Sequence, residues 1–262
     1  MALGMRTCGT IFTAVFLQHI AQGLSYSQDG QDRFVERLFP TGFKGVFVEA
    51  GAADGISMSN TYHLERDLGW RGLLVEALPS QLNALRANRP AATVVHTCLA
   101  GTAAERHFSV MEDAQTSGLL DEGILTNFMA KAPKEVVKMQ CQTLESLLIA
   151  QGMKHVDYLS LDVEGQDLHI LRSLTGEVFI DVLSVEARPF ADDVDAILHA
   201  VAGRYRMLDR VGMDLILRRI PSHEPYCINV HVSACGRNWD SLANLLHDCL
   251  SAENNQSNSS VA

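Results

Sequence analysis

The chain has 262 residues, which is enough for one large α/β domain with short extensions and too few for two full domains. Its 47% hydrophobic and 20% charged residues are typical of a globular protein and exclude a chain that is disordered throughout. The formal net charge of −10 argues against nucleic acid as a partner, because phosphate binding needs a cationic surface and no Lys/Arg cluster supplies one locally.

Residues 1–25 form a leader before the first predicted element. An arginine at position 6, an apolar stretch over residues 11–17 and small residues at positions 21 and 23 outline a signal peptide. Gln18 and His19 interrupt that short stretch, so an amphipathic leading helix is the alternative, and the stretch is too short and too polar to predict a membrane span. The compartment stays open, with the cytoplasm favoured over the secretory pathway.

The first predicted elements surround a glycine-bracketed turn. Residues 26–39 predict a cap followed by a helix, Val46–Ala50 has the apolar character of a buried strand, and helical spacing follows the turn at residues 51–55. A strand, a glycine turn and a helix in this order present backbone N–H groups to a ligand in a Rossmann-like domain. A second strand ending at Glu76, a helix and a third strand over ATVVHTCLAG come next.

The remaining elements continue the alternation. Residues 102–134 lack clean periodicity apart from a short strand predicted at 107–110, so we expect this span to pass over a ligand site. Five elements follow: a strand and a helix over EVVKMQCQTLESLLIAQG, a strand over HVDYLSLDVEG, a helix over QDLHILRSL and a strand over FIDVLSVEARP. A last helix over DDVDAILHAVAG and a hairpin over YRMLDRVGMDLILRR, with its bend at 211–212, complete the domain. The sequence therefore predicts an α/β domain over residues 26–220 with a mostly parallel sheet, and an extension with a disordered tail over 221–262.

Six cysteines do not settle the compartment. Cys98 and Cys141 lie in strand-like runs and are predicted to be small buried hydrophobic residues. Four metal-capable side chains recur at every fourth position near the C-terminus: His223, Cys227, His231 and Cys235. Neighbouring prolines and β-branched residues disfavour a helix there, and no C-x-x-C pair is present, so no zinc site is predicted.

The glycine turn discriminates between cofactors. A dinucleotide fingerprint needs G-x-G-x-x-G, whereas here Glu49, Gly51 and Gly55 stand alone, without the middle and last glycines of that pattern. S-adenosylmethionine has no pyrophosphate, so a site for it does not need the missing glycines. Its ammonium group favours an acidic neighbour such as Glu49. Glu76, 21 residues beyond Gly55, stands where an acidic side chain accepts both ribose hydroxyls, a feature that NAD also uses. The structural alternatives are a generic tight turn and, for Glu76, a helix cap or a surface charge.

Five blocks then follow one another in a fixed order: SQDGQD, FVEAGAADGISMSNTYHLER, GWRGLLVEALP, TLESLL and DYLSLDVEGQDLHIL. Together they resemble the FkbM family of S-adenosylmethionine-dependent methyltransferases over residues 27–219, and the TLESLL and DVEG blocks are the most distinctive. In that family a lysine or arginine often precedes the DVEG block, where this chain has Ser160 and Leu161. A role for a cationic residue at that point is therefore not implied.

The resemblance implies a Rossmann-like class I methyltransferase fold, with a mostly parallel seven-stranded sheet, helices on both faces and the last strand antiparallel. It implies S-adenosylmethionine as the cofactor and O-methylation of a hydroxyl on a small-molecule or glycan acceptor. The cofactor-binding positions that it implies are Glu49, Gly51, Ala52, Gly55, Asn60, Glu76, Ala77, Cys98 and Leu99. The glycine turn would hold the methionine part, with Asn60 close by in the next helix, while Glu76 would hold the ribose and the last two positions would border the adenine.

Carboxylates at the ends of later strands are the catalytic candidates. Asp162 and Glu164 end the fourth strand, at the carboxyl edge where open α/β sheets bind ligands, and either side chain can take a proton from a hydroxyl. The alternative is a structural cap for the next helix. Glu186, His63 and His169 are further titratable groups. Asp162 and Glu186 could hold a divalent metal, but no dense carboxylate cluster demands one, so none is predicted.

Two other functions stay open. A catalytically silent adaptor or trafficking protein would be consistent with the leader and the tail. However, the four positions expected to contact the cofactor are intact in this chain: Glu49, Gly51, Gly55 and Glu76. An NAD-dependent oxidoreductase would need the missing glycines and a hydride-handling Tyr/Lys or Ser/Tyr pair, which we do not find. The sequence does not indicate an oligomeric state.

Overall fold

The computed structural model describes residues 25–120, 132–187 and 193–221. The leader up to residue 24, the stretch with the four metal-capable side chains and the polar tail lie outside the described residues. The helices within the described ranges are α1 (Gln31–Glu36), α2 (Tyr62–Arg66), α3 (Leu82–Asn88), α4 (Leu144–Ala150), α5 (Asp167–Ser173) and α6 (Asp193–Val201). Across these ranges, no helix combines the length and the apolar character needed to cross a membrane.

The strands in the same ranges divide between two sheets. In chain order they are β1 (Val46–Ala50), β2 (Arg71–Glu76), β3 (Thr93–His96), β4 (Cys98–Leu99), β5 (Ala104–Val110), β6 (Gly118–Leu119), β7 (Glu135–Gln142), β8 (His155–Leu161), β9 (Phe179–Glu186), β10 (Tyr205–Val211) and β11 (Asp214–Arg219). A short 3₁₀ turn at Ala114–Thr116 lies between β5 and β6.

The central sheet has seven strands in the order β10-β11-β9-β8-β1-β2-β3. β3, β2, β1, β8 and β9 pair in parallel, whereas β11 pairs antiparallel with both β9 and β10. This confirms the predicted mostly parallel seven-stranded sheet, and the final hairpin turns at Gly212 as predicted. Strand order reverses beside β1, which is the switch point where such sheets bind ligands.

Alternation of side chains along the strands gives the sheet two apolar faces. Val48 packs with α4, α5 and α6 residues on one face, while its neighbour Phe47 packs with Val35 of α1, Leu64 of α2 and Leu85 of α3 on the other. Successive side chains of a strand point to opposite faces, so a strand buried on both faces is apolar throughout. The helices on both faces follow from this pattern.

A second sheet has the strand order β4-β7-β5-β6. Its strands β5 and β6 lie in the span where the sequence predicted one short strand, and β7 is the strand predicted before α4. The predicted third strand is in fact two strands, because the chain leaves the central sheet after His96 and continues as β4 in the small sheet. Cys98 and Cys141 are buried as predicted, but the prediction that they are simple hydrophobic residues is wrong, because they are joined in a disulfide across β4 and β7.

The segment between β1 and α2 is less helical than predicted. Helix α2 covers only Tyr62–Arg66, and Asn60 therefore lies in the preceding loop and not early in a helix. Ser27 forms an isolated bridge to Met58, which ties this loop to the chain just before α1. Ser59 and Thr61 use their hydroxyls to hold the loop to Glu49, which explains why the helix starts late.

The TLESLL block has a structural explanation. Thr143 is the N-cap of α4, and its hydroxyl accepts a hydrogen bond from the Ser146 N–H. Glu145 reaches the loop before β9, where its carboxylate accepts hydrogen bonds from the backbone N–H groups of Thr175, Gly176 and Val178. The block therefore anchors the connection between α5 and β9.

Candidate functional site

A cleft of about 270 Å³ opens at the carboxyl edge of the central sheet. The ends of β1, β2, β8 and β9 form its floor, and the small sheet contributes Cys98, Leu99, Phe108 and Leu119 to one wall. The floor is polar and the wall is largely apolar. Such a combination suits a ligand with a flat apolar part and several polar groups.

Most of the predicted site residues meet in this cleft. Its lining includes ten of them: Glu49, Gly51, Ala52, Asn60, Glu76, Ala77, Cys98, Leu99, Asp162 and Glu164. Gly55 is the exception, because a side chain at this position would face Leu85 and Arg89 of the α3 region and not the cleft. Its left-handed backbone, with φ of 82°, closes the turn.

Gly51 brings β1 and β8 close together at the floor of the cleft. Its φ is 88°, and a Cβ at this position would collide with the backbone carbonyl of Asp162. The Gly51 N–H donates to the Val75 carbonyl of β2 (3.0 Å). The position therefore requires glycine for two reasons, backbone conformation and close approach.

Glu49 is almost completely buried at the end of β1, with 4% of its surface exposed. Its Oε1 accepts the Asn60 N–H (2.8 Å), and its Oε2 accepts the hydroxyls of Ser59 (2.8 Å) and Thr61 (2.6 Å). Both oxygens thus receive protein donors. Glu49 shapes the loop that borders the cleft as well as lining the cleft itself.

Arg89 is the buried cation beneath this loop, and sequence reasoning missed it. Its guanidinium pairs with Glu65 (2.8 Å) and lies 3.6 Å from Glu49, while its Nη1 donates to the Gly55 carbonyl (3.0 Å). The residue follows a polar helix, where an arginine ordinarily lies in solvent. Arg89 lies just after this helix, two residues beyond the exposed Ala87. Nothing in the sequence there indicated that its side chain would be buried and paired with a carboxylate.

Glu76 ends β2 at the other side of the turn. Its Oε2 accepts the Ala53 N–H and its Oε1 accepts the Leu78 N–H, both at 2.7 Å. Burial raises the pKa of Glu76, while these backbone hydrogen bonds oppose the rise. A carboxylate has about four acceptor positions, so both oxygens retain capacity for ligand hydroxyls.

Asp167 holds the loop that follows β8. Its carboxylate accepts the N–H groups of Val163 (3.1 Å) and Gly165 (3.2 Å), which lets Glu164 adopt a left-handed φ of 55°. Burial raises the pKa of Asp167 to about 6, against the lowering effect of these bonds. Asp167 therefore holds this loop, while the N-cap of α5 is Gln166, with no side-chain capping hydrogen bond.

Asp162 lies in the cleft at the end of β8, beside several other carboxylates. Solvent in the open cleft reaches it, but the surrounding walls desolvate its carboxylate and raise its pKa well above the usual range. The negative charges of Asp167, Glu186, Glu164 and Asp214 raise it further. A carboxylate with a raised pKa is a stronger base than an ordinary aspartate.

Asp214 is the site residue that sequence reasoning missed. It begins β11, and because that strand is antiparallel, its first residue pairs with Glu186 at the carboxyl edge of β9. Asp214 is 8% exposed and lines the cleft. Burial raises its pKa to about 7, with Glu186 and Asp167 adding to the rise and hydrogen bonds from Gln31 and Asn60 opposing it. The antiparallel last strand of the resemblance was the signal that could have found it.

Neither of the two candidate histidines, His63 and His169, lines the cleft. His63 is 2% exposed, and its ring nitrogens contact Glu36 and Asp67, each at 2.9 Å. His169 lies exposed on α5, outside the cleft lining. In the described part of the chain, no group of three or more His, Cys, Asp or Glu side chains has an arrangement that could hold a metal ion.

Comparison with known protein families identifies the family of this chain. The FkbM methyltransferase domain matches residues 49–207, which is more than half of the chain. A search of curated proteins finds no match.

Three solved structures are similar to this chain at low identity. An O-methyltransferase from Bacillus cereus in complex with S-adenosylhomocysteine has 14% identity and a TM-score of 0.41, and the alignment covers 83% of this chain and 93% of that one. A methyltransferase FkbM from Methylobacillus flagellatus has 13% identity and a TM-score of 0.42, over 68% of this chain and 44% of that one.

Fibrillarin from Aeropyrum pernix with bound S-adenosyl-L-methionine has 12% identity and a TM-score of 0.40, with 73% of each chain covered. With all three TM-scores below 0.5, the assignment rests on the domain match and on the strand order described above. The chain belongs to the FkbM methyltransferase family, it has the class I methyltransferase fold, and S-adenosylmethionine is its cofactor.

Proposed function

We propose that this methyltransferase transfers a methyl group to a hydroxyl oxygen of a small molecule or glycan, with Asp162 as the proton acceptor. The observation that carries the proposal is the position of Asp162, which is exposed in the cleft and lies next to the glycine turn. A hydroxyl is a weak nucleophile, and its attack benefits from a positioned base. Glu164, on the same loop, is the second candidate.

The cleft fits S-adenosylmethionine. Glu76 lines it and retains acceptor capacity for two ribose hydroxyls, and Leu78, Cys98 and Leu99 offer buried apolar surface for an adenine. We assign the cofactor to the nine positions carried over from the family, which are Glu49, Gly51, Ala52, Gly55, Asn60, Glu76, Ala77, Cys98 and Leu99. Of these, Gly55 acts by closing the turn and Glu49 by holding its loop, and Asn60 joins this loop, through its backbone N–H to Glu49, to the other end of the cleft, through its side chain to Asp214.

When bound, S-adenosylmethionine supplies a methyl group on a positively charged sulfur, and the sulfur keeps the electron pair of the bond that breaks. The acceptor oxygen forms the new bond to carbon and loses its proton to Asp162. The walls of the cleft desolvate that carboxylate, which strengthens it as a base. Alignment of the acceptor by the cleft supplies much of the remaining rate enhancement.

The first test is calorimetric titration of the protein with S-adenosylmethionine and S-adenosylhomocysteine. Wild type should bind both, and Glu76→Ala should weaken both because the ribose acceptor is lost. Labelled methyl transfer to a panel of small alcohols and glycans then identifies the acceptor, and NMR of the product shows whether the new methyl carbon is bonded to oxygen. A methyl group on nitrogen or carbon would contradict the O-methylation proposal.

Asp162→Asn tests the base. The pKa of Asp162 is raised, so wild-type turnover should climb with pH through a range above that of an ordinary aspartate. The Asn variant should lose at least about a hundredfold in kcat and lose this climb, while Asp209→Asn, an exposed carboxylate on β10, should match wild type. An unchanged pH profile in Asp162→Asn would assign the proton to another group.

A catalytically silent adaptor is the alternative. It predicts a folded chain that binds neither S-adenosylmethionine nor S-adenosylhomocysteine.

The disulfide between Cys98 and Cys141 is relevant to the compartment. It supports an oxidising environment in preference to the cytoplasm, which was favoured from the sequence. Alkylation of free thiols in protein taken directly from its native source, followed by mass measurement, tests that assignment.

A further inference from the structure

The cleft has two chemically different ends. Glu76 and the apolar wall form one end, at the β2 side, where the cofactor positions concentrate. The other end lies at β8, β9 and β11, where Asp162, Glu186 and Asp214 come from three adjacent strands. Among the described residues that line the cleft, none is a lysine, an arginine or a histidine.

The negative charges of these carboxylates oppose one another's ionisation. Burial and the charge of Glu186 raise the pKa of Asp214 to about 7, and Asp162 is raised by burial and by Asp214 among others. A cation at this end would favour the ionised forms, whereas a neutral ligand would not and an anionic ligand would be repelled.

Asn60 supplies an independent observation at the same end. It lines the cleft and is 8% exposed, and its Nδ2 donates to Ser160 Oγ (2.9 Å) and Asp214 Oδ2 (3.4 Å). Its Oδ1 is buried and has no hydrogen-bond partner within the described part of the chain. A buried carbonyl oxygen without a donor is rare in native proteins, and an N–H donor of a ligand would satisfy it.

We propose that the acceptor carries a cationic nitrogen, an ammonium group, and that Asp214 and the Oδ1 of Asn60 receive it at this end of the cleft, while Asp162 takes the proton of the acceptor hydroxyl. This deepens the proposed function and rests on it, because it names the acceptor as an amino alcohol or amino sugar whose hydroxyl is methylated. An ammonium offers N–H donors to an amide oxygen and to carboxylates together.

The test uses matched probes that differ in one group. D-glucosamine is compared with D-glucose, and tyramine with 4-ethylphenol, by calorimetry or saturation-transfer NMR on the protein saturated with S-adenosylhomocysteine. We expect the amine of at least one pair to bind tenfold more tightly or better. The preference should disappear in Asp214→Asn, persist in Asp209→Asn, and leave the affinity for S-adenosylhomocysteine unchanged in both variants.

A second readout separates recognition from a structural role. At pH 7 the binding of an amine should release protons, because Asp214 ionises, so the apparent binding enthalpy should differ between two buffers of unequal ionisation enthalpy. Asp214→Asn should reduce that difference. Thermal unfolding of Asp214→Asn checks that the variant is correctly folded. A lost preference for the amine then reflects the change at the site.

Three outcomes would overturn the inference. One is the absence of any amine preference while S-adenosylhomocysteine is bound. Another is a loss of S-adenosylhomocysteine affinity in Asp214→Asn as large as the loss for the amine, which would assign the carboxylate to the cofactor. The third is tight binding of Mg²⁺ that displaces the amine. Failure of wild type to bind S-adenosylhomocysteine would instead overturn the proposed function.

Discussion

The change Gly51→Ala tests how the glycine turn builds the cleft. Two separate costs apply. Alanine at a φ of 88° is strained by about 1–2 kcal/mol, and its Cβ would collide with the Asp162 carbonyl, so that the backbone must shift at a further cost of about 1–3 kcal/mol. We expect the free energy of unfolding to fall by about 2–5 kcal/mol in total.

Gly42→Ala is the matched control. Gly42 has a φ of 80°, but a Cβ there would meet nothing within 4 Å, so only the conformational cost of about 1–2 kcal/mol applies. Urea unfolding of both variants gives the difference, and titration with S-adenosylhomocysteine measures binding. Gly51→Ala should also weaken binding, because the carbonyl that must move belongs to the base. Equal destabilisation in the two variants, with wild-type binding in both, would refute the close-approach argument.

The buried charges and the disulfide yield three further predictions. Arg89→Ala removes the cation that pairs with the partly buried Glu65 and lies beside the buried Glu49, and should lower the free energy of unfolding by about 3–5 kcal/mol, whereas the exposed Arg86→Ala should stay within about 0.5 kcal/mol of wild type in the same urea experiment. The pKa of Glu145 is lowered by its four hydrogen bonds to residues 175–178, which outweigh its burial, so the contribution of Glu145 to stability is present above about pH 4.3 and is lost as pH falls through the folded pKa. Glu145→Gln should therefore be less stable than wild type at pH 7, with a gap that narrows in acid, while Glu177→Gln on the same loop should track wild type; a gap independent of pH would contradict this. Reducing the disulfide, which spans 43 residues, should cost about 4 kcal/mol, and unchanged urea midpoints with and without reductant would show that it does not constrain the unfolded chain.

The sequence was sufficient to predict the central sheet. β1, β8 and β9 are apolar on both faces because both faces are buried, and the helices between them have clear periodicity. The carboxylates at the carboxyl ends of parallel strands, Glu76 and Asp162, followed from the same rule, since these ends share one edge. In these strands and helices, the local sequence pattern matches the position of the element in the folded domain.

The small sheet could not be predicted in the same way. β4 and β6 have only two residues each, which is too short for alternation to register, and their pairing joins parts of the chain far apart in sequence. The disulfide depends on that pairing, because β4 and β7 bring Cys98 opposite Cys141. Asp214 was missed for a topological reason: an antiparallel strand brings its first residue, and not its last, to the ligand edge.

The distribution of costly features distinguishes an active enzyme from a silent adaptor. Ala53, Met58 and Glu164 have left-handed backbones, and all three line the cleft. Asn60 has a buried oxygen without a donor, and Asp214 is a buried carboxylate with a raised pKa, both in the same place. Each of these features lowers stability in the absence of a ligand. An adaptor that uses only the outer surface of the fold would gain nothing from them, and mutation would be free to replace them with residues that stabilise the chain. Their concentration around one cleft is what binding of a cofactor and of an acceptor there would require.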